Sequence, residues 1–241
     1  MSEISILFED GEALVIDKPA GLPLDRPRAG GMALEDRLDE LKLGFQRPPA
    51  PVHRLDRDTS GCLLLARNPK ALKRFAAAFE AREVDKRYLG IVAGPVEGPN
   101  GESEGTIALS LAKISSAADG WRMIAAKKGK PAVTHWRKLA EHGGRTLVEF
   151  RPETGRTHQI RVHAAHAFGH ALLGDGRYGT REGATRTMLH AADIVVTRAG
   201  KPPIRAHAPT PADFAALGFV DPEDGAAPDV GAEGAGGTPE A

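Results

Sequence analysis

The chain has 241 residues, 41% hydrophobic and 27% charged, with 32 basic and 32 acidic side chains, the profile of an ordinary globular domain of catalytic size. Its longest aliphatic runs, such as residues 62–66, are far too short to span a bilayer, and MSEISILFEDGE lacks the basic start and apolar centre of a secretory signal. A lone cysteine, Cys62, excludes an internal disulfide framework and fits a reducing compartment, so a cytoplasmic location is expected.

In chain order, 4–8 and 13–16 read as strands joined by the turn Glu9-Asp10-Gly11. Leu34, Leu38 and Leu41 fall on one side of a short amphipathic helix over 33–43. Asn68 caps a helix that opens at Pro69 and gathers Leu72, Phe75, Ala76 and Phe79 on one face. Strands are expected at 88–93, 106–111, 121–126, 133–139 and 146–150, the last two joined by His142-Gly143-Gly144. A stripe of Ile160, Ala164, Ala167 and Phe168 predicts a helix over 158–168, and 187–196 returns to strand. Thr210 is placed to cap a last short helix with Pro211 at its first position. Strands outnumber helices without alternating regularly with them, so the fold class is α+β, one domain over 1–220.

Residues 221–241 are Gly, Ala, Pro and acid, with too little apolar surface to offset the entropy of ordering, and a disordered acidic tail is expected. This tail carries Asp221, Glu223, Asp224, Asp229, Glu233 and Glu240 and no basic residue, which leaves 32 basic against 26 acidic side chains in the body. A mildly basic body suits a polyanionic partner without demanding one.

Three segments concentrate polar chemistry. The first is 51–61, where His53, Arg54, Asp56, Arg57, Asp58 and Thr59 directly precede the apolar run CLLLA. A polar loop abutting a buried strand presents reactive groups at the floor of a cleft. In extended geometry Arg54 and Asp56 share one side while Leu55 points into the core, and the hydroxyls of Thr59 and Ser60 are expected to satisfy loop amides. A surface ion-pair loop would have the same composition. The second segment is 153–163; if it opens a helix, His158 and Arg161 project from one face. Arg161 could then reach a carboxylate with two parallel hydrogen bonds and hold it ionised, or close a purely structural salt bridge. The third is Asp85-Lys86-Arg87-Tyr88, an aromatic at a strand start that composition alone reads as a half-buried core ring.

Taken in order, these segments resemble the RluA-type family of RNA pseudouridine synthases. The likeness runs through Val15-Ile-Asp-Lys-Pro-Ala-Gly21, His53-Arg-Leu-Asp56 with Thr59-Ser-Gly61, and Lys86-Arg-Tyr88. It continues through Thr154-Gly-Arg-Thr-His-Gln-Ile-Arg-Val-His163, Gly174-Asp175, Tyr178-Gly179 and Leu189-His-Ala191, and so covers roughly residues 4–220. The resemblance implies a mixed, mostly antiparallel sheet with flanking helices and a central RNA cleft. It also implies isomerisation of a flipped-out uridine in ribosomal or transfer RNA, without metal or other cofactor. By the same resemblance Asp56 is the essential carboxylate, Tyr88 stacks on the base and assists proton removal, Arg161 partners the aspartate, and Arg54 fills the space left by the base. His53, Thr59, Arg156 and His158 are the further substrate-binding candidates. Many relatives carry an S4-like RNA-binding module at their N-terminus, but here the catalytic-type sequence starts within the first few residues. RNA contacts are therefore expected from the body, through Arg26, Arg28, Lys42, Arg47 and above all Lys127, Lys128 and Lys130 near Trp121, although a solvated turn would look alike. The chain is expected to act as a monomer with no protein partner and no membrane.

Competing readings are a metal site built from His158, His163, His166 and His170, a non-catalytic RNA-binding protein, and a glycosidase using Asp56. The first lacks an HExxH pattern, the second should have lost Asp56, Tyr88 or Arg161, and the third lacks an evident second acid.

Overall fold

Turns at Asp, Gly and Pro break the chain into short extended runs that assemble into an eleven-stranded sheet with helices packed on its faces. The computed structural model describes residues 3–27, 29–116 and 120–225. The strands are β1 (Ile6–Glu9), β2 (Ala13–Lys18), β3 (Ala50–Pro51), β4 (Ser60–Ala66), β5 (Val84–Val92), β6 (Glu104–Ser116), β7 (Gly120–Ala125), β8 (Lys130–His142), β9 (Arg145–Pro152), β10 (Leu189–Arg198) and β11 (Lys201–His207). Their order is β1-β2-β4-β10-β5-β9-β8-β6-β7, with β3 added to β4 and β11 to β10. Every pairing is antiparallel except β4 with β10. The α+β expectation holds.

That parallel contact is short and close. His190 and Ala191 pair with Ser60 and Gly61, and the Ser60 hydroxyl meets His190 Nδ1 at 2.8 Å. Gly61 has φ of +102°, and a Cβ there would lie 2.2 Å from the Ala191 carbonyl oxygen. Only glycine supplies both that backbone conformation and that clearance. The hydroxyl expected to satisfy a loop amide is thus spent on a buried histidine, and the turn is closed instead by Thr59 N–H donating to Asp56 O at 3.1 Å.

β4 is buried on both faces, which explains its unbroken apolar run. Cys62 and Leu64 pack with Ala71 and Phe75 of α1 (Pro69–Ala81), while Leu63 and Leu65 pack with Leu34 and Leu41 on the other side. Asn68 caps α1 as expected, its side chain accepting from Ala71 N–H at 2.9 Å. The expected helix over 33–43 is a 3-10 helix, Leu34–Leu41. Its tighter winding turns Leu34, Arg37 and Leu41 inward, with the first turn fixed by Asp36 accepting from Ala33 N–H. In the other half, α2 (Gln159–Ala167) covers Trp136 and Phe150 through Ile160 and Ala164.

Two further expectations change at the C-terminal end. Thr210 does not cap α3 (Ala212–Ala215); its hydroxyl accepts from Asp221 N–H at 2.7 Å, and Pro211 occupies the cap position. Asp221, Glu223 and Asp224 belong to the folded body. Arg87 is 2% exposed and reaches both Asp221 oxygens (3.0 and 2.5 Å) and Asp193 (2.5 Å), while His207 bridges Asp193 and Asp224 at 2.9 and 3.0 Å. A buried guanidinium needs such partners, so the first acids of the expected tail are neutralised inside the fold. Residues 226–241 lie outside the described residues. β3 and β11 lie outside the expected strands, one being two residues long and the other an edge strand that tolerates Pro202 and Pro203.

Gly61→Ala is expected to cost at least about 2 kcal/mol of folding stability, from backbone strain added to overlap with Ala191. Chemical denaturation checks this; an unchanged midpoint would mean that the β4–β10 seam is loose.

Candidate active site

The β4–β10 seam places the loop before β4 at the middle of the sheet, beneath a cleft of about 1080 Å³. All eight site residues expected from the sequence line this cleft: His53, Arg54, Asp56, Thr59, Tyr88, Arg156, His158 and Arg161. They come from the loop before β4, from β5, and from α2 with the segment that leads into it.

The loop is held from below by Lys18, at the end of β2. This side chain is fully buried, and its ammonium donates to the carbonyls of Pro19, Leu22 and Arg57 at 2.8, 3.0 and 3.1 Å. Burial, with Arg186 adding repulsion, lowers its pKa to about 8. Gly21 N–H donates to Arg57 O at 2.9 Å, and Arg186 donates to Asp58 O at 3.0 Å while pairing with Asp213. His53 stacks on Phe79 at 4.7 Å between ring centres, and its Nε2 accepts from Leu64 N–H at 3.0 Å. Burial, then Lys86, pushes its pKa down to about 3, so the ring stays neutral and acts as a strut between loop and strand. Thr59 is buried in the same loop. Leu55 points into the core as expected, and Arg54, largely exposed, pairs with Asp25 at 2.8 Å across the mouth.

Asp56 meets α2. Arg161 Nη1 donates to Asp56 Oδ2 at 2.9 Å, so two residues 105 positions apart are joined as the sequence suggested. The expected pair of parallel bonds to a carboxylate is made with Asp175: Nε and Nη2 of Arg161 donate to its two oxygens at 2.7 and 2.9 Å. Asp175 has no exposed side-chain surface and also accepts from the N–H groups of Arg177 and Tyr178. Burial alone would raise its pKa, but Arg161 and those amides outweigh it and hold the carboxyl below its ordinary value. His158, as expected, shares the face of Arg161; its Nε2 lies 3.8 Å from Asp56 Oδ2. Arg156 turns back to the scaffold, donating from Nε to Pro131 O at 3.2 Å.

Tyr88 bridges the core clusters on the two sides of the cleft, in register with Ala191 and Phe150. Burial, and then Asp56, raises its phenol pKa. The next residue back, Arg87, faces the opposite side of the sheet, as strand alternation requires. On the far wall Trp121 is 40% exposed, with Lys113 Nζ 4.9 Å from its ring centre. Lys127, Lys128 and Lys130 are exposed on the β7–β8 turn and do not line the cleft, and Arg28 lies outside the described residues. Arg26 and Lys42 pair with Asp36 and Asp39.

The structural roles of Asp175, Lys18 and Tyr178 were not read from the residues. Each stands in a short motif whose partners are distant in sequence, so spacing alone could not assign them. The four histidines of the metal reading do not converge: the one group of three ligand-type side chains close enough to share an ion, among the described residues, is Asp193, His207 and Asp221, where Arg87 already supplies the positive charge. The acid nearest Asp56 through Arg161, Asp175, is buried and committed to that guanidinium, so it does not serve as the second carboxylate of a glycosidase pair.

Asp175→Asn is expected to destabilise the fold by about 3 kcal/mol at neutral pH, because it removes one partner of a buried ion pair. A lowered carboxyl pKa contributes stability that is present above the ordinary value of 3.8 and lost as pH falls through the folded value. The stability difference between native and Asn proteins should therefore shrink under strong acid; a difference independent of pH down to full protonation would contradict the pairing.

The family described as RNA pseudouridylate synthase matches residues 12–166, more than half of the chain. An uncharacterized RNA pseudouridine synthase of Zymomonas mobilis is 54% identical over 216 residues, spanning 89% of this chain and 97% of its own. A ribosomal large subunit pseudouridine synthase D of Xanthomonas campestris is 36% identical over 246 residues, 92% of this chain and 71% of the relative. The solved human RNA pseudouridylate synthase domain containing 1 superposes with a TM-score of 0.72 at 27% identity, covering 88% of this chain and 86% of its own. The order of motifs, the mixed sheet and these likenesses agree: the chain belongs to the RluA-type RNA pseudouridylate synthase family, isomerases that convert uridine in RNA to pseudouridine.

Proposed function

We propose that Asp56 is the essential carboxylate, acting at C1′ of a uridine flipped out of structured RNA into this cleft, by direct attack or by promoting loss of the base. The observation that carries the reading is the single hydrogen bond from Arg161 to Asp56 Oδ2, which leaves Oδ1 without a hydrogen bond among the described residues. Breaking the glycosidic bond develops positive charge at C1′, and an aligned anion next to it lowers that barrier. Two carboxylates, Asp56 and Asp175, share one guanidinium, so the cluster keeps a net negative charge for that task. Tyr88 walls the pocket as a stacking surface for the detached uracil, which must turn and rejoin through C5. Its raised pKa keeps the phenol protonated at rest, so it takes part in proton transfer by giving its own proton to a stronger base, after which the phenolate can take one back. Arg54, at the mouth, is the group suited to fill the gap left in the RNA. His53, Thr59, Arg156 and His158 shape and brace the pocket.

The cleft is lined by seven Lys or Arg side chains against four Asp or Glu, which favours a polyanion at its rim. Lys113 and Trp121 stand together there as a phosphate contact beside a stacking surface. Ribosomal RNA is the favoured substrate, since relatives such as that of Xanthomonas campestris are named for the ribosomal large subunit, with transfer RNA as the other candidate. The protein is taken to act as a monomer in the cytoplasm, a reducing compartment that suits its single, buried cysteine.

Asp56→Asn should reduce pseudouridine formation to background while RNA affinity stays within about twofold, as for loss of a group that acts in the transition state. Measured turnover by this variant would remove Asp56 from its role. Lys113→Ala should lower RNA affinity and reduce the dependence of log K on log salt by about one phosphate contact. An unchanged slope would move that contact outward, to Lys127, Lys128 and Lys130.

A further inference from the structure

We propose that Tyr178 and His158 form a positioning pair for Asp56, in which the phenol fixes the imidazole with its proton on Nε2 and aims that N–H at the carboxylate. The inference rests on the reading of Asp56 as the catalytic carboxylate, but its structural half can be tested without it.

The argument is one of hydrogen-bond accounting. Tyr178 Oη accepts from the backbone N–H of Met123 at 3.1 Å and lies 2.8 Å from His158 Nδ1. A phenol has one proton to donate, and with the Met123 N–H already occupying its oxygen, all three groups are satisfied when that proton goes to Nδ1. Nδ1 is then an acceptor, so in the neutral ring the proton sits on Nε2. Burial disfavours the charged ring, which keeps the imidazole neutral despite Asp56.

Nε2 faces Asp56 Oδ2 at 3.8 Å, the same oxygen that Arg161 holds at 2.9 Å. That separation is too long for a hydrogen bond in the free protein, and contacts of this kind tighten when substrate fills the site. The imidazole is not free to wander. Its backbone sits at φ +52°, a left-handed conformation that non-glycine residues adopt only when their surroundings impose it. Trp121 packs at 5.1 Å from the ring and Tyr178 meets it edge-on at 5.6 Å. Tyr178 also carries the Arg161 guanidinium 5.2 Å from its own ring centre. One tyrosine thereby touches both groups that face Oδ2, and ties them to β7 through Met123.

The test is the long-range proton–nitrogen spectrum of the histidine rings in full-length, ¹⁵N-labelled protein without RNA, with His158 identified by the signals lost in His158→Gln. The expected result is a His158 Nδ1 shift typical of an unprotonated nitrogen and an Nε2 shift typical of a protonated one. In Tyr178→Phe, which keeps the ring over Arg161, the two shifts should move toward the average of mixed tautomers. A proton on Nδ1 in the native protein overturns the proposal whatever Asp56 does. Conversely, an Asp56→Asn protein that still turns over would sink the catalytic reading and leave the tautomer assignment standing. The kinetic half separates positioning from bulk structure. Tyr178→Phe should lower kcat about tenfold with KM for RNA little changed, because an imidazole no longer fixed loses the hydrogen bond it aims at the charged Asp56 carboxylate. His158→Gln, which places an amide N–H where Nε2 was, should retain more kcat than His158→Asn. Equal losses in Gln and Asn, or a change confined to KM, would contradict the proposal.

Discussion

One guanidinium organises this molecule's chemistry. Arg161 gives two of its hydrogen bonds to Asp175, which is sealed from solvent, and one to Asp56, which is not. The division is physically sensible. Burying a guanidinium is costly unless its donors are met, and the bidentate pair with Asp175 meets that cost independently of the substrate. The Nη1 donor is then a fixed point against which the partly exposed Asp56 carboxylate can be aligned without being consumed. Had both parallel bonds gone to Asp56, the same carboxylate would have been asked both to neutralise a buried cation and to meet developing charge at the sugar.

The fold exists around that contact in a recognisable way. β4 and β10 approach closely only because Gly61 has no side chain, and that seam fixes the last residues of the Asp56 loop. Lys18 and Arg186 then tie the loop's carbonyls from two directions, with His53 as a neutral strut. Opposite, α2 begins at a strained His158 and projects Arg161 inward from the other half of the sheet. Residues far apart in sequence are therefore held in place by hydrogen bonds between anchored side chains and the loop and strand backbone, the condition for a pre-organised site.

Much of this was legible in the sequence because it was local. The Asn68-Pro69 start of α1, the Gly143-Gly144 hairpin, the inward Leu55 and the shared face of His158 and Arg161 follow from turn chemistry and periodicity within a few residues. What could not be read was long-range. Asp175 looks like any acid after a glycine until the fold places it under Arg161, and Thr210 looks like a helix cap until Asp221 returns to its hydroxyl. The acidic C-terminal stretch misled for the same reason: Asp221 reads as solvated tail, but Arg87 lies on the face of β5 away from the cleft and takes it as a buried partner. Charge pattern gives composition, whereas burial decides which charges are paired. Likewise Lys127, Lys128 and Lys130 form the densest basic cluster in sequence, yet the cleft draws its far-wall cation from Lys113, isolated in sequence but stacked on Trp121.

The central claim is geometric: Asp56 works because one planar donor group spans it and Asp175 together. The direct test is pseudouridine formation by Arg161→Lys, which keeps the positive charge but replaces the fork with a single ammonium that cannot hold both carboxylates in this arrangement. The account predicts a fall in kcat of about a hundredfold, the scale of a small misplacement of a reacting group, with RNA affinity nearly unchanged. Turnover by the lysine protein equal to that of the native enzyme would show that charge alone suffices, and would contradict it.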